Sequence, residues 1–139
     1  MKDEERLEML NKLVYKLIEK SESGVPIFVE GMKDEISLRR IGVKGRILKV
    51  KACRTTLADI ILTYNMEKEV VVLTDFDREG EELAETLTSQ LTSLKVKADT
   101  EIRMRVRAAV KGELRSIEEL AEYIEKLKAS VNTTPIPVE

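Results

Sequence analysis

Asp75, Asp77 and Glu79 alternate along Val70-Val-Val-Leu-Thr-Asp-Phe-Asp-Arg-Glu-Gly-Glu-Glu82, where an apolar run passes into carboxylates at the mouth of a helix. Side chains two residues apart on extended backbone point the same way, so Asp75 and Asp77 can both reach a cation held beyond the strand end. Without a cation such anions repel, raise one another's pKa values and weaken the fold, unless the positive end of the following helix offsets them. A helix cap accounts for Asp77, and the helix N-terminus accounts for Glu79, Glu81 and Glu82. Neither accounts for Asp75, and the pattern points to a metal site.

A second segment, Ile27-Phe-Val-Glu-Gly-Met-Lys-Asp34, repeats the design: an apolar run, an acid, a glycine and another acid four positions after the first. Glu30 ends a strand, Gly31 permits a tight turn and Asp34 falls in the first turn of the next element. Either acid alone would read as a surface-loop residue. Together with Asp75 and its neighbours, the two segments describe one shared site.

Composition narrows the chemistry. The 139-residue chain has 42% hydrophobic residues, enough for a packed core, and it has no histidine. Histidine triads, histidine bases and imidazole-bound zinc are excluded, which leaves carboxylate, amine, guanidinium, hydroxyl and one thiol. Oxygen donors select hard cations, so magnesium, or manganese in its place, suits the site better than zinc. Cys53 is the only cysteine, which excludes an internal disulfide and fits a small packing residue in a reducing compartment. No run approaches a membrane span and the acidic N-terminus does not resemble a secretion signal, so a cytoplasmic location without membrane contact is expected. Asn132-Thr-Thr matches a glycosylation acceptor but carries no weight without export. The 36% charged content leans towards a heat-adapted source.

These acids need strands and helices to hold them. Leu7, Leu10, Leu13, Val14, Leu17 and Ile18 form one face of an N-terminal helix within residues 1–24, which stops near Gly24-Val-Pro26. Four alternations of strand and helix follow. The strands are read at Ile27 to Glu30, Arg46 to Ala52, Val70 to Thr74 and Glu101 to Val110. Helices lie through Ile36, Leu38 and Ile41, behind a Thr56/Asp59 cap, and through Leu83, Leu87 and Leu91. Ser116 and Glu119 are read as the cap of a last helix through Ile117, Leu120, Ile124 and Leu127, and Pro135 and Pro137 predict a loose, non-helical tail. The first and third strands are apolar at every position, as central parallel strands covered on both faces would be. The second and fourth alternate with basic residues and read as edges. With the second strand outside the first, chain direction reverses between strands one and three, and open α/β sheets bind ligands in that crevice. Glu30 and Asp75 both end strands there.

Glu30-Gly31 with Asp34, followed by Asp75-Phe-Asp77-Arg-Glu-Gly, resembles the Toprim domain of type IA and II topoisomerases, bacterial primases, ribosomal-RNA maturases and OLD-type nucleases. The resemblance spans about residues 25–110 and is nearest to the type IA version through Thr74 to Glu81. It implies a Rossmann-like α/β fold, an open sheet of about four mainly parallel strands flanked by helices, with extra N- and C-terminal helices on a single domain of residues 1–139. Residues 111–139 would supply the C-terminal helix and tail. It further implies that Glu30 is a general acid or base at a phosphodiester, and that Asp75 and Asp77, with Glu30 and Glu79, hold one or two magnesium ions. Asp34 matches an acid found near the metals in primases. The chain has no room for a topoisomerase gate or a primase's accessory modules, and is most similar to the small stand-alone Toprim proteins of archaea and bacteria.

Such a site would act on nucleic acid. The net charge of -2 excludes a broad electrostatic surface, so any contact must be local. Arg78, Lys33 and Arg54 are candidate phosphate contacts, with Arg78 inside the acidic motif. Basic strips on strand two (Lys44, Arg46, Lys49, Lys51, Arg54) and strand four (Arg103, Arg105, Arg107, Lys111) read equally as phosphate contacts and as guards against edge pairing. Tyr15, Tyr64 and Tyr123 fall on helices beside apolar faces and read as packing residues rather than nucleophiles. The expected function is a magnesium-dependent nuclease or RNA-processing enzyme. The alternative is a non-catalytic module that binds nucleic acid or nucleotide in a protein assembly or homo-oligomer. A haloacid-dehalogenase-type phosphatase would place Asp-x-Asp on the first strand, and a receiver domain would place an acidic pair there, so both rank below these.

Overall fold

Ile27–Val29 (β1) and Val70–Val72 are wholly buried, and their burial puts both strands in the middle of a four-stranded parallel sheet. The computed structural model describes residues 1–132. The second strand is β2 (Ile47–Lys49), the third β3 (Glu69–Val72) and the fourth β4 (Lys97–Asp99), in the spatial order β2-β1-β3-β4. Ile27 stands opposite Ile47 on one side and Val71 on the other, and Val71 stands opposite Asp99. The chain therefore reverses direction between β1 and β3, as the apolar character of those strands predicts.

Helices α1 (Asp3–Glu22), α2 (Met32–Arg40), α5 (Glu101–Val110) and α6 (Leu120–Asn132) cover one face of the sheet, while α3 (Leu57–Leu62) and α4 (Arg78–Ser93) cover the other. Alternation along the central strands divides the core accordingly. Ile27, Val29, Val71 and Leu73 face α1, α2, α5 and α6, while Phe28, Val70 and Val72 face α3 and α4. Each such fully buried side chain contributes about 1.5–3 kcal/mol, which makes this core the main source of stability. Thr56 caps α3 by accepting the Asp59 N–H, as expected. Lys20 on α1 forms ion pairs with Glu69 and Asp99 and so ties that helix to β3 and β4.

Several expectations are corrected. Residues Glu101–Val110 are helix, not strand, and the fourth strand is the three-residue segment Lys97–Asp99 before them. The Ile-Arg-Met-Arg-Val-Arg alternation mimics a half-buried strand, yet Ile102, Val106, Ala109 and Val110 also recur at helical spacing and all are buried. The second strand stops at Lys49 and turns into a 3₁₀ helix, Val50–Ala52. Ser116 makes no side-chain cap bond, whereas Glu119 accepts the Arg115 N–H. Tyr15 is exposed rather than packed, while Tyr64, in the turn after α3, meets Phe28 edge to face at 4.9 Å. Pro135 and Pro137 lie outside the described residues. Among those described, no helix is long and apolar enough to cross a membrane.

Candidate carboxylate site

Glu30 directly follows β1 and is buried. Its Oε2 accepts the Asp75 N–H at 2.7 Å, and its Oε1 lies 2.6 Å from the Lys51 ammonium. Its carbonyl accepts the Lys51 N–H at 3.0 Å, so Glu30 is fastened to the ends of both neighbouring strands. Gly31 precedes α2, and Asp34 in the first turn accepts the Gly31 N–H at 2.9 Å. Asp34 is buried too; burial pushes its carboxyl upward and the Glu30 charge adds to this, against N–H bonds from Gly31 and Glu118.

Beyond β3 the chain makes a tight turn. Thr74 Oγ1 donates to the Gly80 carbonyl at 2.7 Å, and Asp77 caps α4 by accepting the Gly80 N–H at 2.7 Å. A Cβ on residue 80 would stand 2.0 Å from the Asp75 carbonyl oxygen, so only glycine fits. Asp75 is pushed up to about 7, first by burial and then by the charges of Asp34, Glu30 and Asp77, with the Ile117 N–H opposing. Its Oδ1 is buried without a hydrogen-bond partner.

A buried arginine underlies the turn. Arg103, from α5, donates to the carbonyls of Thr74 and Asp75 and to Glu81 Oε2 at 2.9 Å, with its guanidinium 5.7 Å from the Phe76 ring centre. The Arg103 bond, with Arg107 beside it, holds the Glu81 carboxyl below its ordinary range against the effect of burial. The segment between α5 and α6 borders the site. Arg115 accepts the Phe76 N–H through its carbonyl, while the N–H groups of Ile117 and Glu118 serve Asp75 and Asp34.

The fold therefore gathers Glu30, Asp34, Asp75 and Asp77 at the crossover. Glu79 is exposed on the rim, with its carboxylate 3.6 Å from the Lys51 ammonium. Arg78 points to solvent and pairs with Glu82 at 3.3 Å. Lys33 and Arg54 are exposed. Among the described residues no three acids stand as a ready-made ligand set. Glu30 is engaged by Lys51 and by the Asp75 N–H, and one oxygen of Asp77 by its cap. The donors are nonetheless all oxygen, and an orphaned buried Asp75 Oδ1 lacks only a positive charge, so the residues fit a hard divalent ion. Lys51, Arg103, Glu81 and the Ile117 and Glu118 amides are site residues that sequence reasoning missed. Arg103 would have been found by reading Arg103, Val106 and Val110 as one helical face.

The Toprim domain profile matches residues 25–109, more than half of the chain. The chain belongs to the Toprim family. Among curated proteins it is 41% identical over 116 residues to a UPF0292 protein of Thermococcus sibiricus, covering 84% of this chain and 88% of that one. A UPF0292 protein of Pyrococcus abyssi is 45% identical over 94 residues, 68% of this chain and 70% of its own. One from Methanosarcina acetivorans is 31% identical over 130 residues, with 93% and 89% covered. A solved Aquifex aeolicus protein shares the fold at TM-score 0.67 and 22% identity, covering 79% of this chain and 96% of that one. The Toprim match supports a metal-dependent, nucleic-acid-related role in general. It stops before Arg115, Ile117 and Glu118, so the amides that meet Asp75 and Asp34 come from outside the matched segment.

Proposed function

We propose that this Toprim protein is a magnesium-dependent enzyme acting on nucleic-acid phosphodiester bonds, a nuclease or RNA-processing activity. The observation that carries the reading is the joining of Glu30 to the Asp75 backbone at 2.7 Å, next to a buried Asp75 oxygen with no partner. Asp75, Asp77 and Glu30, with Glu79 from the rim, would hold one or two Mg2+, with Mn2+ as a substitute. A bound ion would supply Lewis-acid stabilisation of charge developing on phosphate oxygens. Glu30 would take or give the proton, and since Oε2 accepts the Asp75 N–H this would fall to Oε1 once the Lys51 ammonium has moved off it. Arg103 and the Thr74 hydroxyl keep the turn rigid so that Asp75 does not swing away. Arg78, Lys33 and Arg54 are exposed and would meet phosphates of a bound strand, Arg78 by exchanging its Glu82 partner for phosphate.

A second reading, a binding module without turnover, is favoured by one fact: both Glu30 oxygens are already engaged. The test is cleavage of labelled structured RNA, single-stranded RNA and duplex DNA in Mg2+ or Mn2+, with Glu30→Gln and Asp75→Asn run alongside. Metal-dependent cutting lost in both variants supports the enzyme and names its substrate. Binding without cutting, retained by Glu30→Gln, supports the module.

A further inference from the structure

Lys51 is the one cation paired with Glu30 among the described residues. Its ammonium is 2.6 Å from Glu30 Oε1 and 3.6 Å from Glu79 Oε1, with half of the side chain open to water. The placement is built into the main chain. Lys51 sits in the 3₁₀ helix Val50–Ala52, and its own N–H donates to the Glu30 carbonyl, so each backbone fixes the other. The hydrogen bond to Glu30 holds the ammonium above its ordinary pKa against partial burial, with the charges of Glu30, Glu79 and Asp75 adding to it.

We propose that Lys51 is the resident counter-ion of the carboxylate group, one that a divalent ion must displace from Glu30 in order to bind. The inference rests on the reading that these acids hold a metal. Glu30 has two oxygens: the Asp75 N–H takes one and the ammonium the other. An incoming cation finds Oε1 taken and meets a like charge beside it, which lowers its affinity. The half-exposed, flexible lysine stem lets the ammonium leave without unfolding its helix. Lys51 is thus an affinity-setting residue. It keeps the buried Glu30 charge compensated in the metal-free chain and holds weak or scarce ions out.

The experiment is calorimetric titration of Mn2+ into the full chain and into Lys51→Met, Lys51→Gln, Lys51→Arg and Glu30→Gln, with melting temperatures measured with and without the ion. The two neutral variants are expected to bind Mn2+ about tenfold tighter, a modest effect because the pair is half exposed. Lys51→Arg is expected to stay near the parent because it keeps the charge. The metal-free neutral variants melt about 2–4 °C lower and gain more from Mn2+ than the parent does. Unchanged or weaker binding by a folded neutral variant, with binding lost in Glu30→Gln, overturns the role of Lys51 and leaves the metal site standing. Absence of binding by the parent and every variant overturns both.

Discussion

Asp75 pairs an elevated pKa with an unmatched buried oxygen, and the two make a statement about pH. With a folded-state value of about 7, against 3.8 for an ordinary aspartate, the folded chain keeps a proton that the unfolded chain has already released. Folded protein then binds more protons than unfolded protein from about pH 4 to about pH 7, so metal-free stability falls as pH rises through that window. Denaturant titrations at about pH 5 and about pH 8 should show this loss, and Asp75→Asn should flatten it while raising the metal-free melting temperature by about 2–4 °C. Metal affinity runs the other way, increasing as pH rises towards about 7 and levelling off above it, because the proton must leave first. The unusual status of Asp75 is legible in the sequence, since no cap or helix end accounts for a carboxylate at that position. Lys51 and Arg103 are not legible there: each stands in a strip of basic residues, and only the turn after β2 and the helical state of α5 bring them to the acids.

At the scale of elements, α4 approaches the β3 end so closely that its first turn has no space for a side chain at Gly80. Gly80→Ala should therefore cost about 2–4 kcal/mol, read as a lower urea midpoint with an unchanged slope. Arg103 joins α5 to the same turn, and its removal leaves the Thr74 and Asp75 carbonyls without this donor and Glu81 with Arg107 alone. Arg103→Met should cost about 3–5 kcal/mol, and Arg103→Lys should recover only part of this, because one ammonium cannot serve three acceptors in a plane. The α5 segment is where element reading fails. Its arginines alternate with apolar residues at a strand-like period of two, while the true β4 is too short and too polar to announce itself. The central strands give no such trouble, since Ile27-Phe-Val and Val70-Val-Val have no polar side to misplace.

Across the whole molecule, the order β2-β1-β3-β4 follows from which strands are apolar throughout, and the crevice follows from the order. What the strands do not announce is how much of the enclosure comes from the C-terminal segment. Leu114, Ile117, Leu120, Ile124 and Leu127 are buried in the same cluster as α1, α2 and α5, and Ala121 N–H bonds Ser37 on α2. A chain ending at Val110 would leave that cluster open to water, and is expected to bind a hydrophobic dye and lose its cooperative melting transition. A cooperative, dye-silent transition would mean that the matched Toprim segment folds alone. The amides of Ile117 and Glu118 bring one more property. They stand at the entry to α6 and face Asp75 and Asp34, so whatever changes the charge on those acids changes the docking energy of the helix, and the coupling is reciprocal. Hydrogen exchange along α6 would then report the protonation and occupancy of a site whose acids lie on other elements, and a substitution on the far side of α6 would tune that site from a distance.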